Sequence, residues 1–204
     1  MNKKIEYSTA HRLFLMVVTT CMVAISVASC SSRQSTPKPR GYYRIALPEK
    51  HAYAPLSLKG YPYTFDVSAY ATATPNTSRG SEPYWLDVTY ADYNATIYLS
   101  YKNAKNSLDK LVEDAHTLVY RHTIKADAIT EQRFEGSDGK TFGYLYEIGG
   151  NAATNVQFYV TDSVKNFLRG SLYFNTPPNQ DSLSPIIEFI TEDIRRLFET
   201  IEWK

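Results

Sequence analysis

The chain has 204 residues, 43% of them apolar, with 22 basic and 21 acidic side chains giving a formal charge of +1, and two cysteines. That length suits one domain with a sizeable core, and a balance so close to neutrality carries no basic footprint for nucleic acid. Cys21 and Cys30 are too few for a disulfide framework or a thiolate zinc site.

The N-terminus reads as an export leader. Lys3, Lys4, His11 and Arg12 form a basic n-region, and Leu13 to Ala28 an apolar h-region of 16 residues interrupted by Thr19, Thr20 and Ser26. The run closes on Val27-Ala28-Ser29-Cys30, whose spacing matches a bacterial lipobox. Cleavage before the cysteine would make Cys30 the first residue of the mature protein, with acyl chains such as palmitate on its thiol and new amine. The competing reading is an uncleaved anchor helix, although a spanning helix wants roughly 20 mostly apolar residues. Both readings put the remainder outside the cytoplasm. Stable lipid anchoring takes about two chains or more, which a triacylated Cys30 exceeds. Ser31 stands where an Asp commonly signals inner-membrane retention in lipoproteins of the enterobacterial kind. The expected place is therefore the cell envelope, facing the periplasm, in the outer membrane rather than the inner.

Removing residues 1–29 from 204 leaves 175 residues, takes the bases from 22 to 19 and the acids from 21 to 20, and brings the net charge to -1. The expected division is a signal peptide at 1–29, the lipidated cysteine and an extended tether at 30–40, and a single periplasmic domain at 41–204. Ser31 to Arg40 has two prolines and no large apolar residue, so it should be extended, reaching up to roughly 33 Å at about 3.3 Å per residue.

Beyond the tether, β-branched and aromatic runs recur between turn signals. Strands are predicted near Tyr63 to Ser68, Trp85 to Tyr90, Ala95 to Tyr101, Ala128 to Phe134, Thr141 to Ile148, Val156 to Thr161 and Phe167 to Phe174. Gly136-Ser137-Asp138-Gly139, Gly149-Gly150-Asn151 and Asp162-Ser163 supply the turns between the later ones. Two stretches have helical period. Ser107 to His122 places Leu108, Leu111, Val112, Ala115, Leu118 and Val119 in one stripe, with Asn106 as N-cap and Asp109 at N3. Leu183 to Ile201 aligns Ile186, Ile187, Ile190, Ile194, Leu197 and Phe198, capped by Ser184 with Pro185 at N1, or by Asp181 one turn earlier. Its other face, with Glu188, Glu192, Asp193, Arg195 and Arg196, reads as solvated, with pairs such as Glu192 and Arg196. Segregated runs without βαβ alternation argue for α+β: an antiparallel sheet of about six or seven strands flanked by helices, including a C-terminal amphipathic one. The pattern resembles the Mog1/PsbP-like sandwich, an analogy of fold that implies no function.

No catalytic constellation is legible. His51, His116 and His122 are the only histidines after the leader, and no third or fourth zinc ligand stands beside any of them. No G-x-S-x-G turn is present, and the glycine clusters open no helix of a βαβ unit. The expectation is no catalytic residue, no metal and no cofactor. Tyrosine is the unusual count, 17 in the chain, with Tyr42, Tyr43, Tyr53, Tyr61, Tyr63 and Tyr70 crowding the N-terminal third. Sheet packing enriches tyrosine, and so do sugar-stacking and protein-binding surfaces.

Several strings together resemble the gliding-motility lipoprotein D family of Bacteroidetes, GldD. They are Pro37-Lys38-Pro39-Arg40-Gly41-Tyr42-Tyr43-Arg44-Ile45, Leu99-Ser100-Tyr101, and Tyr120, His122, Lys125 and Ala126. Asn151-Ala152-Ala153 with Gln157-Phe158, Thr161-Asp162-Ser163, and Phe167-Leu168-Arg169-Gly170 with Leu172-Tyr173-Phe174-Asn175 continue it, and Asp181-Ser182-Leu183 and Trp203-Lys204 close it. Two places depart from the family pattern: Ala46 stands where an acid is common, and Tyr61 to Ala73 reads differently. The resemblance implies a non-enzymatic envelope component of gliding motility and of the type IX secretion system, working through protein partners at the membrane. On that basis Tyr42, Tyr43, Arg44, Gln157 and Arg169 are candidates for a partner-binding face, with intramolecular salt bridges an equal alternative for Arg44 and Arg169. Asp162-Ser163-Val164 and Asp181-Ser182-Leu183 resemble the acceptor pattern for O-glycosylation in this phylum, making Ser163 and Ser182 candidates, against the plainer readings of a turn and a helix cap. A different class of function remains open, a periplasmic or surface lipoprotein that binds glycans through its tyrosines.

Overall fold

The computed structural model describes residues 3–28, 45–136 and 139–204. Cys30, Tyr42, Tyr43, Arg44 and the turn residues Ser137 and Asp138 lie outside the described residues. The chain falls into two compact units, Met1–Gly41 and Tyr42–Lys204.

The first unit holds helix α1, Lys3–Ala28. Its polar interruptions are absorbed locally: Thr19 Oγ1 donates to the carbonyls of Leu15 (2.8 Å) and Met16 (2.9 Å), and Thr20 Oγ1 to Met16 (2.7 Å). A hydroxyl bonded back to the preceding turn adds no unsatisfied donor to the helix surface. Among the described residues no helix is long and apolar enough to cross a membrane.

In the second unit the order is β1 (Tyr53–Pro55), β2 (Tyr63–Thr64), β3 (Asp66–Ser68), β4 (Thr72–Pro75), β5 (Leu86–Tyr90), β6 (Ala95–Asn103), α2 (Leu108–Tyr120), a 3-10 turn (Arg121–Ile124), β7 (Ala126–Glu135), β8 (Phe142–Gly150), β9 (Thr154–Thr161), β10 (Asn166–Phe174), α3 (Gln180–Thr200) and β11 (Glu202–Trp203). The fold is α+β, as the segregated runs predict. Seven antiparallel strands form one sheet in the order β4-β5-β6-β10-β9-β8-β7, while β1 pairs with β3 and β11 with β2 in two small ribbons. The predicted strand Tyr63 to Ser68 is therefore broken and belongs to the ribbons. The seventh strand of the main sheet is β4, a short edge strand ending in Pro75.

Every residue of β9 is buried, because helices cover both faces of the sheet at its centre. On one face α3 lays down Ile186, Phe189, Ile190, Ile194, Leu197 and Phe198 against Leu145, Val156, Phe158, Val160, Leu168 and Leu172. Each such side chain contributes roughly 1.5–3 kcal/mol on full burial. On the opposite face α2 presents Ala115 and Val119 to a smaller cluster with Tyr146, Ile148, Tyr159 and Phe167.

Cap positions differ from expectation. Asn179 caps α3, its side-chain oxygen accepting from the Ser182 amide at 3.3 Å, so Ser184 and Asp181 lie inside the helix and Pro185 in its second turn. The earlier start adds a turn that lets Leu183 pack on the core. For α2, Asn106 adopts φ 63° and closes the preceding turn, and Ser107 takes the cap position without a side-chain bond. The polar face of α3 is not solvated throughout, since the ribbon strand β3 packs against the helix and Asp193 is 5% exposed. Arg196 reaches across to Asp66 at 2.7 Å, and Glu192 pairs with Arg195 instead.

Gly170 sits in register with Phe158 on the core face, and a Cβ there would lie 2.1 Å from the ring. The aromatic ring thus fills the space over a glycine in the neighbouring strand. Gly170→Ala is expected to cost about 2 kcal/mol by overpacking, a fall of about 4–8 °C in the thermal midpoint followed by circular dichroism. Adding Phe158→Leu should return part of that loss, whereas an unchanged midpoint in the single variant would mean the ring moves aside freely.

Candidate functional site

Strand alternation sorts the sheet into two faces. Ala95, Ile97, Leu99 and Tyr101 of β6 join the core under α3, so Thr96, Tyr98 and Ser100 point to the other side. Cross-strand register then places Ser171 between Tyr98 and Gln157, Arg169 between Ser100 and Tyr159, and Tyr173 opposite Thr96. Because α2 covers only the cluster around Tyr146, Tyr159 and Phe167, the rest of this face is open, with Tyr98 46% and Tyr173 39% exposed. Their rings meet edge to face at 5.8 Å.

Arg169 lies at the border between the covered and open parts. Its Nη2 donates to Gln157 Oε1 at 2.5 Å, and no carboxylate among the described residues comes within ion-pair distance of it. The ion-pair alternative for Arg169 is thus not what these residues form. Burial pushes the guanidinium below its ordinary range, partly offset by Tyr173. His122, on the 3-10 turn after α2, is likewise held below the usual histidine range, first by burial and then by the Arg169 charge. Gln157 is 1% exposed, so it backs the arginine and does not itself form an outer surface. Ser171 is 3% exposed, and its Oγ has no hydrogen-bond partner among the described residues. A half-buried cation held by one neutral amide, beside an orphaned hydroxyl, is an incomplete arrangement that a bound anion would complete. Sequence reasoning reached Gln157 and Arg169 but missed Ser171, whose place beside them comes only from the sheet register.

A second polar cluster lies beneath α3. His51 stacks on Phe189 with ring centroids 4.3 Å apart, its Nδ1 is 2.7 Å from Asp193 Oδ1, and Tyr90 donates to Asp193 Oδ2 at 2.9 Å. A carboxylate only accepts, so Nδ1 carries the proton. Burial and then the Asp193 charge push the Tyr53 and Tyr90 phenols up, keeping both protonated. The adjoining groove includes Leu47, Phe189, Thr191 and Arg195, with no serine or cysteine in its lining, and the Thr191 hydroxyl donates to the Ile187 carbonyl at 2.7 Å. The contacts of His51 with Asp193 and Phe189 clamp the segment before β1 to α3. Among the described residues no group of three or more His, Cys, Asp and Glu could hold a metal ion.

Ser163 is exposed at the tip of the β9–β10 hairpin with φ 60°. Burial alone would raise the Asp162 carboxyl, but the amides of Asn166, Val164 and Lys165 and the Asn166 side chain outweigh it and hold the carboxyl below the ordinary range. Asp162 therefore builds this turn, which leaves the Ser163 hydroxyl outward. Ser182 sits half-buried in the first turn of α3. Of the tyrosines, Tyr63, Tyr90, Tyr146 and Tyr159 are core residues, while Tyr70, Tyr84, Tyr98, Tyr120 and Tyr173 are exposed.

The family model described as gliding motility lipoprotein GldD matches residues 32–203. No curated protein matches the chain. Among solved structures, the cyanobacterial PsbP (CyanoP) from Synechocystis sp. PCC 6803 is similar at 11% identity and a TM-score of 0.44, over 74% of this chain and 92% of that one.

Proposed function

Matched over residues 32–203, the chain belongs to the gliding motility lipoprotein GldD family, and from that membership we propose that it is a non-catalytic, lipid-anchored component of the outer membrane that faces the periplasm and supports gliding motility and type IX secretion by holding other envelope proteins. The observation that carries the reading is the family match beginning two residues after Cys30, so that a lipobox precedes the family domain directly. A lipid at Cys30 with a short proline-containing tether confines the domain near the membrane and raises its effective concentration for membrane-embedded partners. Modest contacts then suffice for occupancy. The open sheet face around Arg169 supports a binding role, because it combines exposed aromatic rings with an uncompensated cation.

The test is in-cell crosslinking followed by recovery of the full-length protein from solubilised envelope. Gliding and secretion proteins are expected among the recovered partners, at least about tenfold over a Cys30→Ala strain, because lost confinement lowers effective concentration by 10²-fold or more. Recovery of glycans on an array, without such partners, would instead favour the sugar-binding alternative built on Tyr98 and Tyr173.

A further inference from the structure

We propose that Arg169, Gln157 and Ser171 form a recognition site for a carboxylate of a partner protein, an Asp or Glu side chain or a chain terminus, with the neighbouring part of the partner resting on Tyr98 and Tyr173. The inference rests on the protein-binding reading above and names the chemistry of the partner at this face.

Three observations meet at this place. The arginine is drawn into the sheet surface, and among the described residues the Gln157 carbonyl is the one side-chain partner of its guanidinium, so one edge is held and the other donors take no bond there. The Ser171 hydroxyl, in register with Gln157 and one position along the same face, is buried without a partner. His122, on the 3-10 turn that follows α2, lies near enough to feel the Arg169 charge, which makes its imidazole a reporter of this place. The other described arginines and lysines that take ion pairs, Lys102, Arg133, Arg195 and Arg196, all do so with acids of their own chain. A partly buried guanidinium without a counter-charge destabilises a fold, so its place on an otherwise open face points to a charge supplied from outside. A carboxylate suits a single guanidinium with a neighbouring hydroxyl, since two parallel N–H donors meet its two oxygens. A phosphate, with its larger charge, calls for more cations than this face offers. Tyr98 and Tyr173 supply apolar area beside the charge, the composition typical of protein contacts.

The experiment pairs stability with binding. Arg169→Met combined with Gln157→Leu removes the cation and the amide together, so no buried group is orphaned by the change. The thermal midpoint of the full chain in detergent is expected to stay level or rise, while crosslinked partner recovery falls by about tenfold or more, the usual loss for a hydrogen bond to a charged group. Arg169→Gln should show the same loss, and Arg169→Lys should restore part of it. In parallel, acetate titrated onto the full chain should move the His122 imidazole resonance with saturation, and the Arg169→Met, Gln157→Leu protein should lose that response. A variant that recovers its partners as well as the wild type overturns the proposal while leaving the family reading intact. Failure of the wild type to recover any gliding or secretion protein overturns the proposed partner-holding function instead. Saturable binding to phosphatidylglycerol vesicles that requires Arg169, with no response to acetate, would also overturn it in favour of a lipid headgroup.

Discussion

Cys30→Ala should abolish palmitate labelling of this protein and remove it from the outer-membrane fraction, leaving a species longer than the wild type by the uncut leader. The effect is large because attachment depends on one sulfur and one new amine. Each buried methylene of an acyl chain contributes about 0.8 kcal/mol, yet a single chain gives only marginal binding, around 10⁴ M⁻¹, and two or more are needed for a stable hold. Losing Cys30 removes all of them at once. Labelling with a palmitate analogue in the native host, followed by membrane fractionation and intact mass, reads all three consequences. If the wild-type chain is unlabelled and keeps residues 1–29, the helix Lys3–Ala28 is an uncleaved anchor and the lipobox reading fails.

The sheet was readable where strands are long and alternate cleanly, and obscure where tertiary contacts decide. The strands from Ala95 to Asn103 and Asn166 to Phe174 carry their own β-branched and aromatic pattern. Thr72–Pro75, by contrast, is four residues ending in proline, and it becomes a strand because β5 offers it an edge. Glu202–Trp203 pairs with Tyr63–Thr64 across almost the whole domain, which no local window contains. The cap of α3 was misplaced for a related reason: Ser184-Pro185 has local N-terminal chemistry, but Asn179 starts the helix one turn earlier and so brings Leu183 onto the core.

The candidate site was half legible. Arg169 and Gln157 came from strings shared with a family, and the register explains why they matter together: they are diagonal neighbours on one face, one charged and one capable of accepting from it. Nothing in the chain near Arg169 announces that its charge has no counterpart, because absence of a counter-ion is a property of the folded neighbourhood. Ser171 is an ordinary strand serine until its hydroxyl is found buried without a bond.

The sequence places Asp193 on a helix face that reads as solvated, yet its substitution should be the most damaging single change in the folded domain. Asp193→Ala is expected to destabilise by about 2–4 kcal/mol, from two lost hydrogen bonds to a carboxylate and a buried phenol left unsatisfied, which lowers the thermal midpoint by roughly 5–15 °C for a domain of this size. The carboxylate is 5% exposed and accepts from both His51 and Tyr90, the latter 1% exposed. Removing it leaves the Tyr90 hydroxyl buried without an acceptor and releases the His51 ring from its stack on Phe189. His51→Ala should cost less, about 1–2 kcal/mol, because the His51 side chain is 31% exposed and Tyr90 still serves the carboxylate. The clamp also predicts non-additivity. Once Asp193 is alanine, the further loss of His51 should cost much less than it does in the wild type, giving a coupling of about 1 kcal/mol or more in a double-mutant cycle followed by thermal unfolding. Strict additivity would show that His51 and Asp193 act independently, and that the segment before β1 is held on α3 by its apolar contacts alone.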